Sequence, residues 1–152
     1  MRILILAVGK SKPGPERDLL AHYAERLSWG LDVKEIEIRK ESSPDVRKAK
    51  EAEALLAAVP AGATIVALDE RGNSETSESF AARVRGWRDG GVKHLAFLIG
   101  GADGHGEAVL KRAHARLSLG VMTWPHMLVR GLLAEQLYRA QCIISGHPYH
   151  RA

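Results

Sequence analysis

Three short apolar runs in the first hundred residues leave few folds open. Arg2–Val8 (RILILAV), Ala63–Leu68 (ATIVAL) and Leu95–Ile99 (LAFLI) are continuous rather than alternating, as expected of strands covered on both faces. A fourth, Leu31 to Ile38, spaces Val33, Ile36 and Ile38 in the manner of a half-exposed strand. Helical patterns fill the gaps. Glu16 to Trp29 places Leu19, Leu20, Tyr23, Ala24 and Leu27 at helical spacing and is ended by Gly30. Ser42-Ser43-Pro44 opens the next helix, with Ser43 as N-cap, Pro44 at the first helical position and Pro60 as the stop. Thr76 or Ser77 caps a third helix running to about Asp89, with Phe80, Val84 and Trp87 facing inward. Strands alternating with helices at this spacing specify parallel βαβ units with right-handed crossovers. The expected fold is α/β: one domain over residues 1–152, a parallel-rich sheet with helices on both faces.

Size and composition set outer bounds. A chain of 152 residues suits one core. Its single cysteine, Cys142, allows no intrachain disulfide, which fits a reducing compartment. The apolar stretch Ile3–Val8 is far too short to span a membrane, so a cytoplasmic location without membrane partners is expected. A net charge of +4 and a pI near 9.4 fit an anionic partner such as nucleic acid, and equally fit a mildly basic enzyme with no polyanion partner.

Ligands of open α/β sheets bind outside the carboxyl ends of the strands. Three such ends are loaded: Leu68-Asp69-Glu70-Arg71-Gly72, which leads a polar turn to Ser74; Ile99-Gly100-Gly101; and Met122-Thr123-Trp124-Pro125-His126 after the apolar run Leu117 to Met122. Together they can wall one pocket, although every βα turn needs such residues. The run Gly100-Gly101-Ala102-Asp103-Gly104-His105-Gly106 is neither a dinucleotide fingerprint, which belongs on the first βα turn, nor a phosphate loop with a following Lys-Ser/Thr. What remains is a turn free to adopt positive φ with exposed backbone donors, able to read a purine edge without charged side chains. The seven histidines lack metal-ligand spacing, no nucleophile elbow is present, and Cys142 is read as buried.

The last helix, Leu128 to about Ile144, is apolar around much of its circumference and needs cover on both sides. One side suits the sheet; the other suits a second subunit, or else the helix is simply the core of a single chain. Glu135 and Arg139 are four apart and can pair. The tail His147-Pro148-Tyr149-His150-Arg151 combines imidazoles, a phenol and a guanidinium, the groups that recognise phosphates and unstacked bases. On residue types alone it is as readily a frayed terminus as a functional one.

Taken together, Leu68-Asp69-Glu70-Arg71-Gly72, Leu98-Ile99-Gly100-Gly101, Pro125-His126-x-Leu128-Val129-Arg130, Glu135-Gln136-Leu137-Tyr138-Arg139-Ala140 and His147-Pro148-Tyr149-His150 resemble the RlmH family over the whole chain. These are small ribosomal RNA large-subunit methyltransferases of the SPOUT superfamily. The resemblance implies a deep trefoil knot in the C-terminal third and a homodimer with its cofactor pocket near the interface. It also implies S-adenosyl-L-methionine as cofactor, and methylation of N3 of a pseudouridine in 23S rRNA within the assembled ribosome. Carried over by position, the cofactor residues are Leu68, Gly100, Gly101, Gly120, Val121, Met122, Thr123, Trp124 and Pro125. Tyr149, His150 and Arg151 form the substrate side, from the partner subunit. Ala102-Asp103 stands where Pro-Glu is common in the family, and Met127 where Gln is common.

The methyl group of a sulfonium donor is already electrophilic, so the expected task is alignment plus removal of the N3 proton. His150 or Glu135 is expected to assist deprotonation, with Tyr149 and Arg151 holding the base and its phosphate. Two alternatives remain: a non-catalytic ribosome- or RNA-binding dimer that has lost cofactor affinity, and a nucleotide-dependent enzyme of small metabolites.

Overall fold

A computed structural model describes residues 1–39 and 43–151; Ser42, read above as part of a helix start, and Ala152 lie outside the described residues. In chain order the elements are β1 (Arg2–Val8), α1 (Pro15–Ala24), β2 (Leu31–Ile36), α2 (Pro44–Ala58), β3 (Thr64–Ser74), α3 (Ser77–Asp89), β4 (His94–Ile99), α4 (Glu107–Arg112), β5 (Ala115–Ser118) and α5 (His126–Ser145). The five strands form one sheet in the order β2-β1-β4-β3-β5, every neighbouring pair parallel.

The continuous apolar runs are explained by burial on both faces. In β4, Leu95, Phe97 and Ile99 face α1, α3 and α5, while Ala96 and Leu98 face α2 and α4. The direction of travel across the sheet reverses at each crossover, and the helix-bearing face reverses with it. A single hand of crossover requires that coupling. Ser43 accepts a hydrogen bond from the Val46 N–H and Thr76 from that of Ser79, so both expected caps form.

Several boundaries differ from expectation. Helix α1 stops at Ala24 rather than Trp29, because the bonds Arg26 N–H to Tyr23 O and Leu27 N–H to Ala24 O tighten the chain into three-residue turns. Strand β2 stops at Ile36, opposite Val8, because β1, its neighbour in the sheet, ends there. The expected polar turn Asp69–Ser74 lies within β3. Leu68 and Asn73 both sit opposite Leu117, so residues 69–72 bulge out of the ladder and pairing then resumes. Gly72 is needed in this bulge, since a Cβ there would come within 2.8 Å of the Arg116 backbone.

Strand β5 ends at Ser118, not Met122, and Val121 and Met122 are exposed at 91% and 71%. Residues 119–125 instead carry the chain from the sheet edge, past the ends of β3 and β4, to β1. There α5 begins with Met127 and His126 against Gly9. Helix α5 starts at His126, two residues before the expected Leu128, and ends in the left-handed Gly146.

Helix α5 packs between α1 and α3 over the sheet, burying Leu133, Ala134, Leu137 and Ala140. Cys142 is buried in it, as expected. Its outward stripe is Leu128, Leu132, Glu135 and Arg139, all half-buried. The tail folds onto the lower half of that stripe, where Tyr149 donates to Glu135 and His150 accepts from Arg139. Among the described residues no helix is long and apolar enough to cross a membrane.

Candidate active site

A cavity of about 480 Å³ opens at the carboxyl ends of β3, β4 and β5. One wall is the β3 bulge, Leu68 to Arg71; a second is the glycine turn, Gly100 to His105; a third is Leu119, Gly120 and Met122 to Trp124. Lys48, Leu110, Arg116, Leu117 and Val129 complete it. Each wall follows from local chemistry. The glycine turn is closed by the Gly104 N–H to Gly101 O bond at 3.0 Å, with Gly104 at φ 81°. A Cβ on Gly100 would lie 2.9 Å from the backbone of Gly104, and one on Gly101 3.0 Å from Glu51. The third wall is tied to the first. Ser118 Oγ accepts from the Gly120 N–H at 3.2 Å and lies 2.9 Å from Gly120 O and 3.2 Å from Glu70 O. Thr123 Oγ1 reaches Glu70 Oε2 at 3.4 Å. Trp124 Nε1 donates to Leu119 O at 3.4 Å.

Of the cofactor residues named from sequence, Leu68, Gly100, Gly101, Gly120, Met122, Thr123 and Trp124 line this cavity. Val121 points away into solvent, and Pro125 serves as the N-cap position of α5. Sequence reasoning missed His105, Arg116 and Lys48. His105 stood in the glycine run, and its signal was an imidazole in a turn otherwise built of small residues. Its Nε2 donates to Leu98 O at 2.8 Å, which makes Nδ1 the acceptor, and that atom is buried without a partner.

Burial pushes the His105 pKa down. His126 is pushed the same way, by burial first and then by the Arg130 guanidinium. The unfolded chain takes up protons near pH 6.5 that these buried rings refuse, so folding stability should fall as pH drops below that value. Thermal unfolding between pH 7.5 and 5.5 checks this: His105→Gln should flatten the fall seen in the parent chain. An unchanged slope would refute it.

The tail forms a second cluster, apart from the cavity. Glu135 Oε1 accepts from Arg139 Nε at 3.0 Å and Nη2 at 2.5 Å, and from the Tyr149 hydroxyl at 3.0 Å. Arg139 Nη1 donates to His150 Nδ1 at 3.1 Å. A guanidinium only donates, so His150 Nε2 carries the proton and donates to Glu78 Oε1 at 2.9 Å. Tyr149 stacks edge-on against Tyr138 and lies 3.3 Å from the Tyr23 hydroxyl. Burial, followed by the hydrogen bonds to Tyr23 and Glu135, pushes its phenol well above the ordinary range, so it stays protonated. Arg151 is exposed. The tail is thus ordered against its own α5, and none of Glu135, Tyr149, His150 or Arg151 lines the cavity of the same chain. Within one chain the expected cofactor and substrate groups therefore form two separate clusters.

A family described as "Predicted SPOUT methyltransferase" matches residues 1–150. The chain belongs to the SPOUT methyltransferase family. Among curated relatives, the "Ribosomal RNA large subunit methyltransferase H" of Rhodospirillum centenum is 57% identical over 152 residues, covering all of both chains. The protein of the same name from Paramagnetospirillum magneticum is 59% identical over 151 residues, 99% of each chain. Solved structures agree on the fold alone. A probable methylase family protein from Haemophilus influenzae aligns with TM-score 0.57 at 13% identity, over 99% of this chain and 70% of its own. The SpoU methyltransferase AviRb from Streptomyces viridochromogenes aligns with TM-score 0.52 at 14% identity; this chain covers 61% of its length and is itself covered to 95%. As a SPOUT family member, this chain carries its three-walled cavity at the strand ends where ligands of parallel α/β sheets bind.

Proposed function

We propose that this chain is an S-adenosyl-L-methionine-dependent methyltransferase of 23S rRNA, acting at N3 of a pseudouridine on the assembled ribosome as a cytoplasmic homodimer. The observation that carries the reading is the three-walled cavity in a chain aligned end to end with relatives named for ribosomal RNA methylation. The cavity suits such a donor. Its walls mix backbone amides, apolar surface at Leu68, Leu117 and Met122, and charges of both signs, the surroundings that a neutral base, a ribose and a zwitterionic amino acid need. The close-packed turn leaves no room for a Cβ on Gly100 or Gly101, so it presents bare backbone against which a planar group can lie. When bound, the donor supplies an electrophilic methyl group.

The protein's own contribution is to orient donor and acceptor, which in well-aligned systems is worth up to roughly 7–11 kcal/mol, and to accept the N3 proton. The tail cluster supplies that second part. Glu135 and His150 are its candidate acceptors: Arg139 donates to Glu135 Oε1 and to His150 Nδ1, and so holds both groups in place. Because the tail and the cavity are separate within one chain, the reading places the tail of one protomer beside the cavity of its partner. The half-buried Leu128 and Leu132 on α5, together with Trp124 exposed to 42%, supply apolar surface for that association. A trefoil knot belongs to the same reading, with the 119–125 crossing from β5 to β1 as its thread.

Methyl transfer to intact ribosomes lacking the modification tests the whole proposal, with free rRNA and small nucleosides as comparison substrates. Glu135→Gln or His150→Ala should lower turnover about 10²–10⁴-fold, the usual worth of a positioned general base. Full turnover in both variants would remove deprotonation by this cluster from the mechanism.

A further inference from the structure

Arg130 heads the fully buried side chains by size and is only 1% exposed. It sits in the first turns of α5, where Nη1 donates to Glu35 Oε2 at 2.6 Å and Nη2 donates to Val8 O at 3.1 Å and Gly9 O at 2.8 Å. Glu35 Oε2 also accepts the Ser11 N–H at 2.6 Å. Burial works against the Glu35 charge, but the bonds from Ser11 and Arg130 outweigh it and hold the carboxyl below its usual range. Gly9 adds its own constraints: φ of 99°, its N–H bonded to Ile36 O at 2.8 Å, and room for a Cβ only 3.1 Å from Met127. The loop between β1 and α1 is therefore pinned at residues 9 and 11 by groups from β2 and α5.

What this loop displays is charge. Lys10 and Lys12 flank the anchored Ser11, both exposed, and neither forms a hydrogen bond or ion pair with any described residue. Glu16 and Asp18, in the first turn of α1, are the acidic groups that follow the loop along the chain. The loop leaves β1, the strand beside β4, and it touches the first turn of α5 just after the Thr123 and Trp124 wall. It therefore lies at the carboxyl-end side of the sheet, the side on which the cavity opens, although none of its own residues lines that cavity. A buried guanidinium is a costly way to hold a surface loop unless the loop's shape matters, and a loop ordered beforehand loses less entropy on binding.

We propose that the pinned Lys10–Lys12 loop is a docking element that grips the phosphate backbone of the RNA beside the methylated base. The proposal rests on the ribosomal RNA reading above. Phosphate contacts position a nucleic acid, and each one makes affinity fall with salt.

The test is steady-state methyl transfer to ribosomes at several salt concentrations, comparing the parent chain with Lys10→Ala/Lys12→Ala and Lys10→Arg/Lys12→Arg. For the alanine pair, KM for ribosomes should rise about tenfold at moderate salt, and its log–log salt slope should flatten by about 1.5. Turnover at saturation, melting temperature and donor affinity by calorimetry should stay at the parent's values. The arginine pair should restore both KM and slope. An unchanged KM and slope in the alanine pair, in a parent chain that does turn over ribosomes, would overturn the proposal alone. So would a rise in KM matched by lost donor affinity. A parent chain with no turnover on ribosomes would bring down the functional reading, and this proposal with it.

Discussion

Replacing Gly100 with alanine should lower donor affinity and methyl transfer about 100-fold, the scale of a displacement near 1 Å at a reacting centre. The new methyl group would sit 2.9 Å from the carbonyl carbon and oxygen of Gly104 and 3.2 Å from the His105 amide. All three are backbone atoms, so no side chain can swing aside. The turn itself must open, which breaks the Gly104–Gly101 hydrogen bond and shifts one wall of the cavity. Gly86→Ala is the matching control. It lies inside α3 with nothing within 4 Å of a new Cβ, so it should keep full activity and gain up to about 1 kcal/mol of stability. Calorimetric titration with S-adenosyl-L-methionine decides the matter: Gly100→Ala binding within about twofold of the parent would show that the turn does not contact the donor.

Arg130→Met should destabilise the fold by about 3 kcal/mol, a large share of the roughly 5–15 kcal/mol that holds a domain together. Methionine keeps most of the buried stem but removes the bonds to Glu35, Val8 O and Gly9 O. Val8 is 6% exposed, so its carbonyl has little access to water as a replacement. Two features temper the loss. Glu35 keeps the Ser11 amide and 31% of its side-chain surface, so it can hydrate, and the buried Arg130 Nε, already without a partner, goes too. Urea unfolding of the two proteins measures the difference; a loss under about 1 kcal/mol would mean that packing, not the guanidinium network, holds the loop.

What could be read from the sequence was what local rules dictate. Two-sided burial demands unbroken apolar strands, and Leu95–Ile99 showed that directly. Ser43 and Thr76 announced helix starts because few side chains satisfy free amides, and Glu135 with Arg139 announced a pair by spacing alone. The failures share one cause: their partners lie far away in sequence. Asp69–Gly72 looks like a turn because nothing local says that Asn73 will return to face the same Leu117 as Leu68. Leu119–Met122 looks like a continued strand because an exposed apolar crossing has the same composition. Tyr149 and His150 are anchored by Tyr23 and Glu78, and Arg130 by Glu35, 95 positions before it. An arginine in the otherwise apolar stretch Met127–Ala134 of the last helix was the visible hint of that anchor. It stood in a quoted motif without a role.

The Arg130 clasp also orders events during synthesis. Its bonds join residues separated by as many as 122 positions, from the end of the first strand to the last helix. Contacts of such separation are slow to form, because a long loop must close before they are rewarded. During translation the first four strands can pair while the chain is still emerging, but the loop after β1 has only its β2 anchors, Glu35 and Ile36 O, until residues beyond 130 are released. The Lys10–Lys12 segment therefore gains its last anchor only once the start of α5 has been made.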